Sequence, residues 1–469
     1  MNHMTQMDSE NGCVFEGALT LDDFARHLPH GFDVPKGVGT LRVHFEYDPA
    51  SPPAGGIPHL LSISVYDPAG ARGTRHNNAD QSVVISADYA SPGYLPGQIE
   101  EGRWTVEIDT HRILAPGQVR YRITVEWSAD APEPPEPAVA SVEARYEPGP
   151  GWFRGDLHGH SLHSDAGWSV EEFEADAQRR GLDFAFLTDH NTVSGLRDLS
   201  TSNRGRTFIF AGVELSTFFG HCLVLGTDRH IDWRIKDGET MAARVAEIQA
   251  EGMLFVIAHP MARGHPWCTG CTWQYPDVYP GPATHVEVWN RAWSIPHNEH
   301  ALQLYYGWLG RGCKVFATCG SDTHGPNGRD QAGYNIVFAQ ALTQREILAA
   351  IQKGRSYLSS GPEVGIDAHT ETGEIFGMGQ SVSKPVTSVS IDISRAPPGS
   401  TLRLITASPG NGGASLAHEV GLVADTRLEF DQVDLALTTF LTVEVRDANR
   451  QLCAMTNPIF LGQDTQDTE

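Results

Sequence analysis

The chain has 469 residues, 40% of them hydrophobic and 20% charged, a globular composition too long for one core, so about three domains are expected. Its 34 Lys+Arg stand against 58 Asp+Glu, and the formal net charge of −24 argues against nucleic acid or another large polyanion as partner. The opening MNHMTQMDSENG lacks the basic start and apolar core of a secretory signal, and no apolar run is long enough to span a bilayer, so no membrane partner is expected.

In chain order, TLRVHFEYD, LLSISVYD, RWTVEI and VRYRITVEW read as short strands, rich in β-branched and aromatic residues and bounded by Pro and Gly. ADAPEPPEPA (129–138) is a Pro/Glu-rich spacer that can form neither helix nor central strand. The strand ASVEARYE follows, and GPG at 149–151 marks a boundary. From Trp152 the pattern changes. Apolar strand-like runs lie at 183–190, 207–215, 221–226, 253–260, 285–290, 314–324 and 335–340, with helical patterns between several of them. Ser169 with Glu172, and Thr343 with Glu346, have capping-box spacing at the start of amphipathic segments. Such alternation implies a mainly parallel sheet, and about seven units suggest a barrel. After Pro362 the helical signal fades into VTSVSIDISRA, STLRLITASP, TRLEFDQV and FLTVEVRD, which read as a small β-sandwich. The expected division is a β-sandwich-like domain over 1–148, an α/β catalytic domain over 149–364 and a second β-sandwich-like domain over 365–469.

In barrels and open α/β sheets, side chains at the C-terminal strand ends converge on one mouth. Ligand-type residues gather at those ends here. The first central strand runs into Asp156-Leu157-His158-Gly159-His160, then Ser164-Asp165; the next ends in Thr188-Asp189-His190-Asn191. Glu214 closes GVEL, His221 opens HCLVLG, His259 lies in AHP, and Asp322 and His324 share GSDTH. On an extended chain, His-x-His puts both imidazoles on one side, where they can grip one ion. A lone histidine on a strand is usually structural, but six strand ends carrying such residues point to a metal centre. Mixed imidazole and carboxylate donors suit Zn, Mn or Fe.

Residues 152–364 resemble a PHP (polymerase and histidinol phosphatase) domain through DLHGHSLHSDAG, LTDHN, GVE, the following GH, AHP and GSDTHG. More narrowly, GHCLVLG, VEVWN and GSDTHG are similar to the CehA/McbA-type metallohydrolases, which include carbaryl hydrolases. The resemblance implies a distorted (β/α)7 barrel flanked by the two β domains. It also implies three metal positions. His158, His160, Glu214 and Asp322 would hold the first ion, and Glu214 would bridge to a second held by His221 and His259. Asp165, His190 and His324 would hold a third; a dinuclear site is the alternative.

Such a cluster can lower the pKa of a shared water from near 16 towards about 7, giving a nucleophile without Ser or Cys. The expected activity is hydrolysis of an ester-type bond, first an aryl carbamate or carboxyl ester, with phosphoester hydrolysis as alternative and a non-catalytic metal-binding module as the contrary reading. A proofreading exonuclease is disfavoured by the charge. Asp156 and Asp189 are expected to orient imidazole rings, or else simply to cap strand ends through the backbone. Arg291 is the preferred substrate contact, with His265 and Arg263 as further candidates beside it; surface salt bridges are the plain alternative. The aromatic segment 261–308 leans towards a planar substrate, against ordinary core packing. Seven cysteines without framework spacing suggest reduced thiols in a cytoplasmic protein, Cys268-x-x-Cys271 included. The flanking β domains carry no ligand pattern, so a covering role is expected, with a homo-oligomer interface possible.

Overall fold

The computed structural model describes residues 4–462 apart from 52–55, 77–78, 116–117, 131–148, 200–206, 327–331, 408–411 and 432–437. Most of the Pro/Glu-rich spacer and the whole of ASVEARYE therefore lie outside the described residues.

Two antiparallel sheets occupy the N-terminal part. One joins Thr5–Ser9, Gly12–Leu19, Val119–Ser128, Thr40–Asp48 and Ser82–Ser86 in that order; the other joins His27–Val34, Gly102–Arg112, Leu60–Asp67 and Gly70–Thr74. Their inward residues share one core, with Phe15, Leu41 and Ile123 from the first meeting Phe32, Ile63 and Trp104 from the second. Alternation of apolar and polar residues selects those faces.

The central strands are β1 (Gly151–Asp156), β2 (Phe184–Leu187), β3 (Phe208–Ser216), β4 (His221–Leu225), β5 (Leu254–Ile257), β6 (His285–Asn290), β7 (Phe316–Gly320), β8 (Tyr334–Ala339) and β9 (Ser356–Ser359). Among the described residues the helices α1 (Val170–Arg179), α2 (Met241–Ala250), α3 (Pro296–Gly310) and α4 (Gln344–Gln352) accompany them. The capping box at Ser169 and Glu172 forms as the spacing predicts, and the Thr343 side chain accepts from the Glu346 N–H. Strands β1 to β7 lie side by side in chain order, with β8 and β9 on the far side of β1.

Their successive side chains enter two different cores. Leu223, Leu225, Leu254 and Val256 join Phe184, Phe186, Phe208 and Phe210 on one face, while Cys222, Val224, Phe255 and Ile257 join Val245 and Ile248 of α2 on the other. Burial on both faces is why these strands read as continuous apolar runs. Each large side chain there contributes about 1.5–3 kcal/mol, and cutting Phe186 back to Ala would cost about 3–5 kcal/mol. Gly155 is required beneath the site, because a Cβ there would stand 2.1 Å from the Phe184 ring.

The fold is mixed α/β but richer in strands than expected. Pairing is parallel for β1–β2, β2–β3, β5–β6 and β6–β7, but antiparallel for β3–β4, β4–β5 and β1–β8. A four-residue turn between β3 and β4 leaves no room for a crossover helix, so the sheet is not uniformly parallel. Strand β7 returns to β1 through the isolated bridge Gly159–Thr323, and the described ladders do not close a barrel.

The sheet continues past β9, which pairs with Leu452–Thr456 and through it with Phe440–Arg446, Thr401–Ala407 and Ala414–Gly421. A four-stranded sheet built on Glu363–Thr370 and Val386–Ser394 covers this extension, and Ile366, Ile391, Leu404 and Val443 fill the space between. The expected boundary at 364 falls inside Glu363–Thr370. No helix among the described residues is long and apolar enough to cross a membrane.

Candidate metal centre

The loops leaving the ends of β1, β2, β5 and β7, with Glu214 near the end of β3 and the first residue of β4, bring all nine sequence-predicted ligands to one place. Glu214, fully buried at the end of β3, is the hub. Its Oε2 lies 3.1 Å from His158 Nε2, 3.3 Å from His160 Nε2 and 2.9 Å from His190 Nδ1. Its Oε1 lies 3.0 Å from His221 Nδ1 and 3.2 Å from His259 Nε2. Asp322 closes the first group, with Oδ1 3.2 Å from His160 Nε2 and 3.6 Å from His158 Nε2. Asp165 faces a second flank, 3.2 Å from His324 Nε2 and 3.6 Å from His190 Nε2. Two sets of four, His158–His160–Glu214–Asp322 and His160–Asp165–His190–His324, each present ligand atoms within 4.8 Å of one another.

The backbone is bent to achieve this. His259, Asp322, Asn191 and Arg291 adopt positive φ values of 27°, 47°, 56° and 60°. Non-glycine residues hold that conformation only where the surroundings over-determine it, and here all four sit at the ligand-bearing rim. Gly320 permits the close approach of β7, since a Cβ there would lie 2.3 Å from Glu287 Oε1 and 2.4 Å from His158 Cβ.

His221 donates from Nε2 to the Thr269 carbonyl at 3.0 Å, which fixes its tautomer, and burial lowers its pKa. The remaining nitrogen, Nδ1, is then a lone pair 3.0 Å from the Glu214 carboxylate. Two acceptors at hydrogen-bond distance repel unless a cation lies between them. His158 Nε2 and Glu214 Oε2 are buried 3.1 Å apart without an aligned hydrogen bond; burial would lower His158, but Glu287, Glu214 and Asp322 push it well above the usual imidazole range. Burial would raise Glu214, but the neighbouring His190 and His158 imidazoles hold it well below the usual carboxylate range. Burial, with the His324 and His190 imidazoles, drives His160 down to about 4. For His324 burial works the other way from its partners, and Asp165 and Asp322 prevail, pushing it up to about 9. Six imidazoles and three carboxylates with ligand atoms gathered this closely are a donor set that fits divalent cations.

The five other candidate residues behave differently. Asp156 accepts from the Ser321 N–H at 2.9 Å and from Arg180 at 2.7 Å, and Asp189 from the Ser161 N–H at 2.8 Å and the Ser161 and Ser164 hydroxyls at 2.7 Å. Both carboxylates thus brace the backbone of the ligand loops rather than the rings. His265 packs on the Phe24 ring at 4.5 Å, and Arg263 lies over Trp267 at 3.8 Å; neither lines the cavity at the cluster. Arg291 does line it, half exposed, with Nη2 2.8 Å from Asp322 Oδ2. The cavity measures about 260 Å³. Of the aromatic segment, only Trp267 reaches its wall. Trp273, Trp289, Tyr305, Tyr306 and Trp308 are buried core residues, so an aromatic binding wall is not formed.

Ring orientation falls instead to Glu287, which the sequence reading missed. Its Oε1 meets His158 Nδ1 at 3.0 Å and its Oε2 accepts the His259 N–H at 3.0 Å. A lone carboxylate in the apolar strand HVEVWN was the available signal. Also missed were His76 and Arg112, which reach the cavity wall from the N-terminal sheets. No local pattern marks them, because their placement depends on how the sheets dock. The expected reduced pair Cys268 and Cys271 is joined as a disulfide on the same wall.

No family model matches the chain, and no curated protein matches it. Among solved structures, it is similar to a two-domain protein from Bacteroides vulgatus described as containing a predicted PHP-like metal-dependent phosphoesterase, at 16% identity and TM-score 0.36, covering 68% of this chain and 100% of that one. It is also similar to an amidohydrolase from Chromobacterium violaceum, at 17% identity and TM-score 0.27, covering 38% of this chain and 89% of that one.

Proposed function

We propose that the chain is a metal-dependent hydrolase of PHP type, with its catalytic unit over 149–364, acting on a small phosphoester. The carrying observation is the set of imidazole nitrogens of His158, His221 and His259 that face Glu214 at 3.0–3.2 Å while their other ring nitrogens meet carbonyl or carboxylate partners. His158, His160, Glu214 and Asp322 would hold one ion, Glu214, His221 and His259 a second, and Asp165, His190 and His324 a third. Divalent ions bound there supply Lewis acidity and an acidified water at neutral pH.

The chain's own groups do the rest. Glu287 keeps His158 in one orientation, and the Thr269 and Cys271 carbonyls do the same for His221 and His259. Arg291 offers a half-exposed guanidinium whose fork matches a phosphoryl or carboxylate oxygen, and its pairing with Asp322 aims it at the cluster. The in-order run β1–β7 with its Gly159–Thr323 bridge supports a distorted (β/α)7 arrangement as the scaffold. A phosphoester ranks ahead of an aryl carbamate or carboxyl ester because a cation, not an aromatic wall, stands beside the cluster. The second reading keeps Trp267, 49% exposed on the cavity wall, as its support. Assay of the zinc-, manganese- and iron-loaded chain on aryl phosphomonoesters, phosphodiesters, carbamates and carboxyl esters tests both. Turnover of phosphoesters alone supports the first; metal binding without turnover on any class would favour a non-catalytic module.

A further inference from the structure

The loop after β5 carries a chemical element that hydrolysis does not use. Cys268 and Cys271 form a disulfide with Cα atoms 5.5 Å apart, whereas Cys13, Cys222, Cys313, Cys319 and Cys453 are free thiols. Both bridged sulfurs belong to residues on the cavity wall, and both residues are partly exposed. The turn between them is tied to the metal centre twice. The Thr269 carbonyl accepts from His221 Nε2 at 3.0 Å, and the Cys271 carbonyl from His259 Nδ1 at 3.4 Å. Gly270, at φ +79°, packs so closely that a Cβ would stand 2.9 Å from the His221 ring. Most tellingly, Cys271 Sγ lies within 4.8 Å of ring nitrogens of both His221 and His259.

We propose that this pair is a redox-controlled ligand: once the disulfide is reduced, Cys271 adds a thiolate to the ion that His221 and His259 would hold. The proposal rests on the metal-centre reading above. The co-reactant is a dithiol. One of its thiolates attacks Cys268 Sγ, breaking the Cys268–Cys271 bond and releasing Cys271 as a thiolate. Its second thiol resolves the mixed disulfide, so the dithiol leaves as a disulfide and the chain gains two electrons and two protons. On ligating the ion, the Cys271 thiol gives its proton to solvent. A soft sulfur donor beside two imidazoles suits zinc or cobalt, whereas the oxidised pair leaves that position open to substrate.

The test uses the full chain, oxidised or reduced with a dithiol that is then removed under nitrogen, loaded with cobalt(II). Thiol titration should count two more thiols per chain after reduction. Reduced protein should show a sulfur-to-cobalt charge-transfer band that is absent from oxidised protein and from reduced Cys271→Ser. Cys268→Ser, whose Cys271 is always free, should show the band without reduction. Bound cobalt per chain should be the same in all of these forms. Reduced wild type that binds cobalt with no such band, or Cys271→Ser that keeps the band, overturns the proposal while leaving the metal centre intact. Failure of every form to bind cobalt overturns both.

Discussion

Two concavities of this molecule differ in size and in chemistry. A cleft of about 870 Å³ opens between β1, β8 and β9 on one side and the sheet of Glu363–Thr370 and Val386–Ser394 on the other. Its polar groups are already matched: Asp392 pairs with Arg427 at 3.2 Å, Asp183 accepts the Arg154 N–H at 2.8 Å, and the Arg154 guanidinium lies over the Tyr334 ring at 4.4 Å. The cavity over Glu214 holds only about 260 Å³, yet imidazole nitrogens and carboxylate oxygens crowd there at 3.0–3.2 Å. Volume follows from how sheets splay apart. The gathering of nine ligand-type side chains around one buried carboxylate, rather than volume, marks the candidate site.

The comparison breaks most severely at Glu214. Glu214→Gln keeps the shape but removes the charge that both groups of imidazoles face, and hydrolysis should fall by at least ~10³-fold, the several kcal/mol that Lewis-acid assistance is worth. Steady-state rates on the best phosphoester check this, and a loss below tenfold would contradict the hub role. Next comes Glu287→Gln, which leaves His158 without its anionic partner. Metal affinity measured against a chelator should weaken by about 10–100-fold, with Glu287→Asp recovering part of it. Arg291→Ala should raise KM by roughly tenfold with a smaller change in kcat, as expected when one charge-assisted contact to substrate is lost.

A satisfied histidine sharpens the contrast. His285, at the start of β6, is buried with Nε2 donating to the Ile351 carbonyl at 3.0 Å and Nδ1 2.9 Å from the Thr284 hydroxyl. Burial drives its pKa down from 6.5 to about 4. A depressed folded value means the unfolded chain takes up the proton first. The stabilising contribution is therefore complete above about pH 6.5 and is lost as pH falls towards 4, by roughly 3 kcal/mol at most. Denaturant midpoints of the wild type and His285→Gln between pH 7 and 4 should converge as the pH falls. The smallest effect belongs to the large cleft: Trp152→Ala and Arg427→Ala should change turnover by less than about twofold, since exposed ion pairs there contribute only about 0–1 kcal/mol.

Much of this could be read from the sequence where the cause is local. Thr40–Asp48, Leu60–Asp67 and His285–Asn290 match the predicted runs residue for residue, because two-residue alternation or double burial imprints itself on consecutive positions. The nine ligand candidates were readable for a similar reason, since strand ends are visible in the sequence and strand ends share a rim. Pairing direction was not: the turn Thr217–Gly220 reverses the chain between β3 and β4, and apolar runs look alike in either direction. Glu287 was hidden among apolar neighbours. His76 and Arg112 depend on docking of the N-terminal sheets. Asp156 and Asp189 follow the plainer of their two readings, a hydrogen bond to the backbone, because adjacency in sequence to a histidine does not aim a carboxylate at its ring.

The most direct measurement is metal content. Wild-type chain, purified without added metal and analysed by inductively coupled plasma mass spectrometry, should carry at least two equivalents of divalent transition metal, while Glu214→Gln should retain less than half of that at unchanged circular dichroism. A wild type that hydrolyses its substrate at full rate with no bound transition metal, before and after treatment with a strong chelator, would contradict the account.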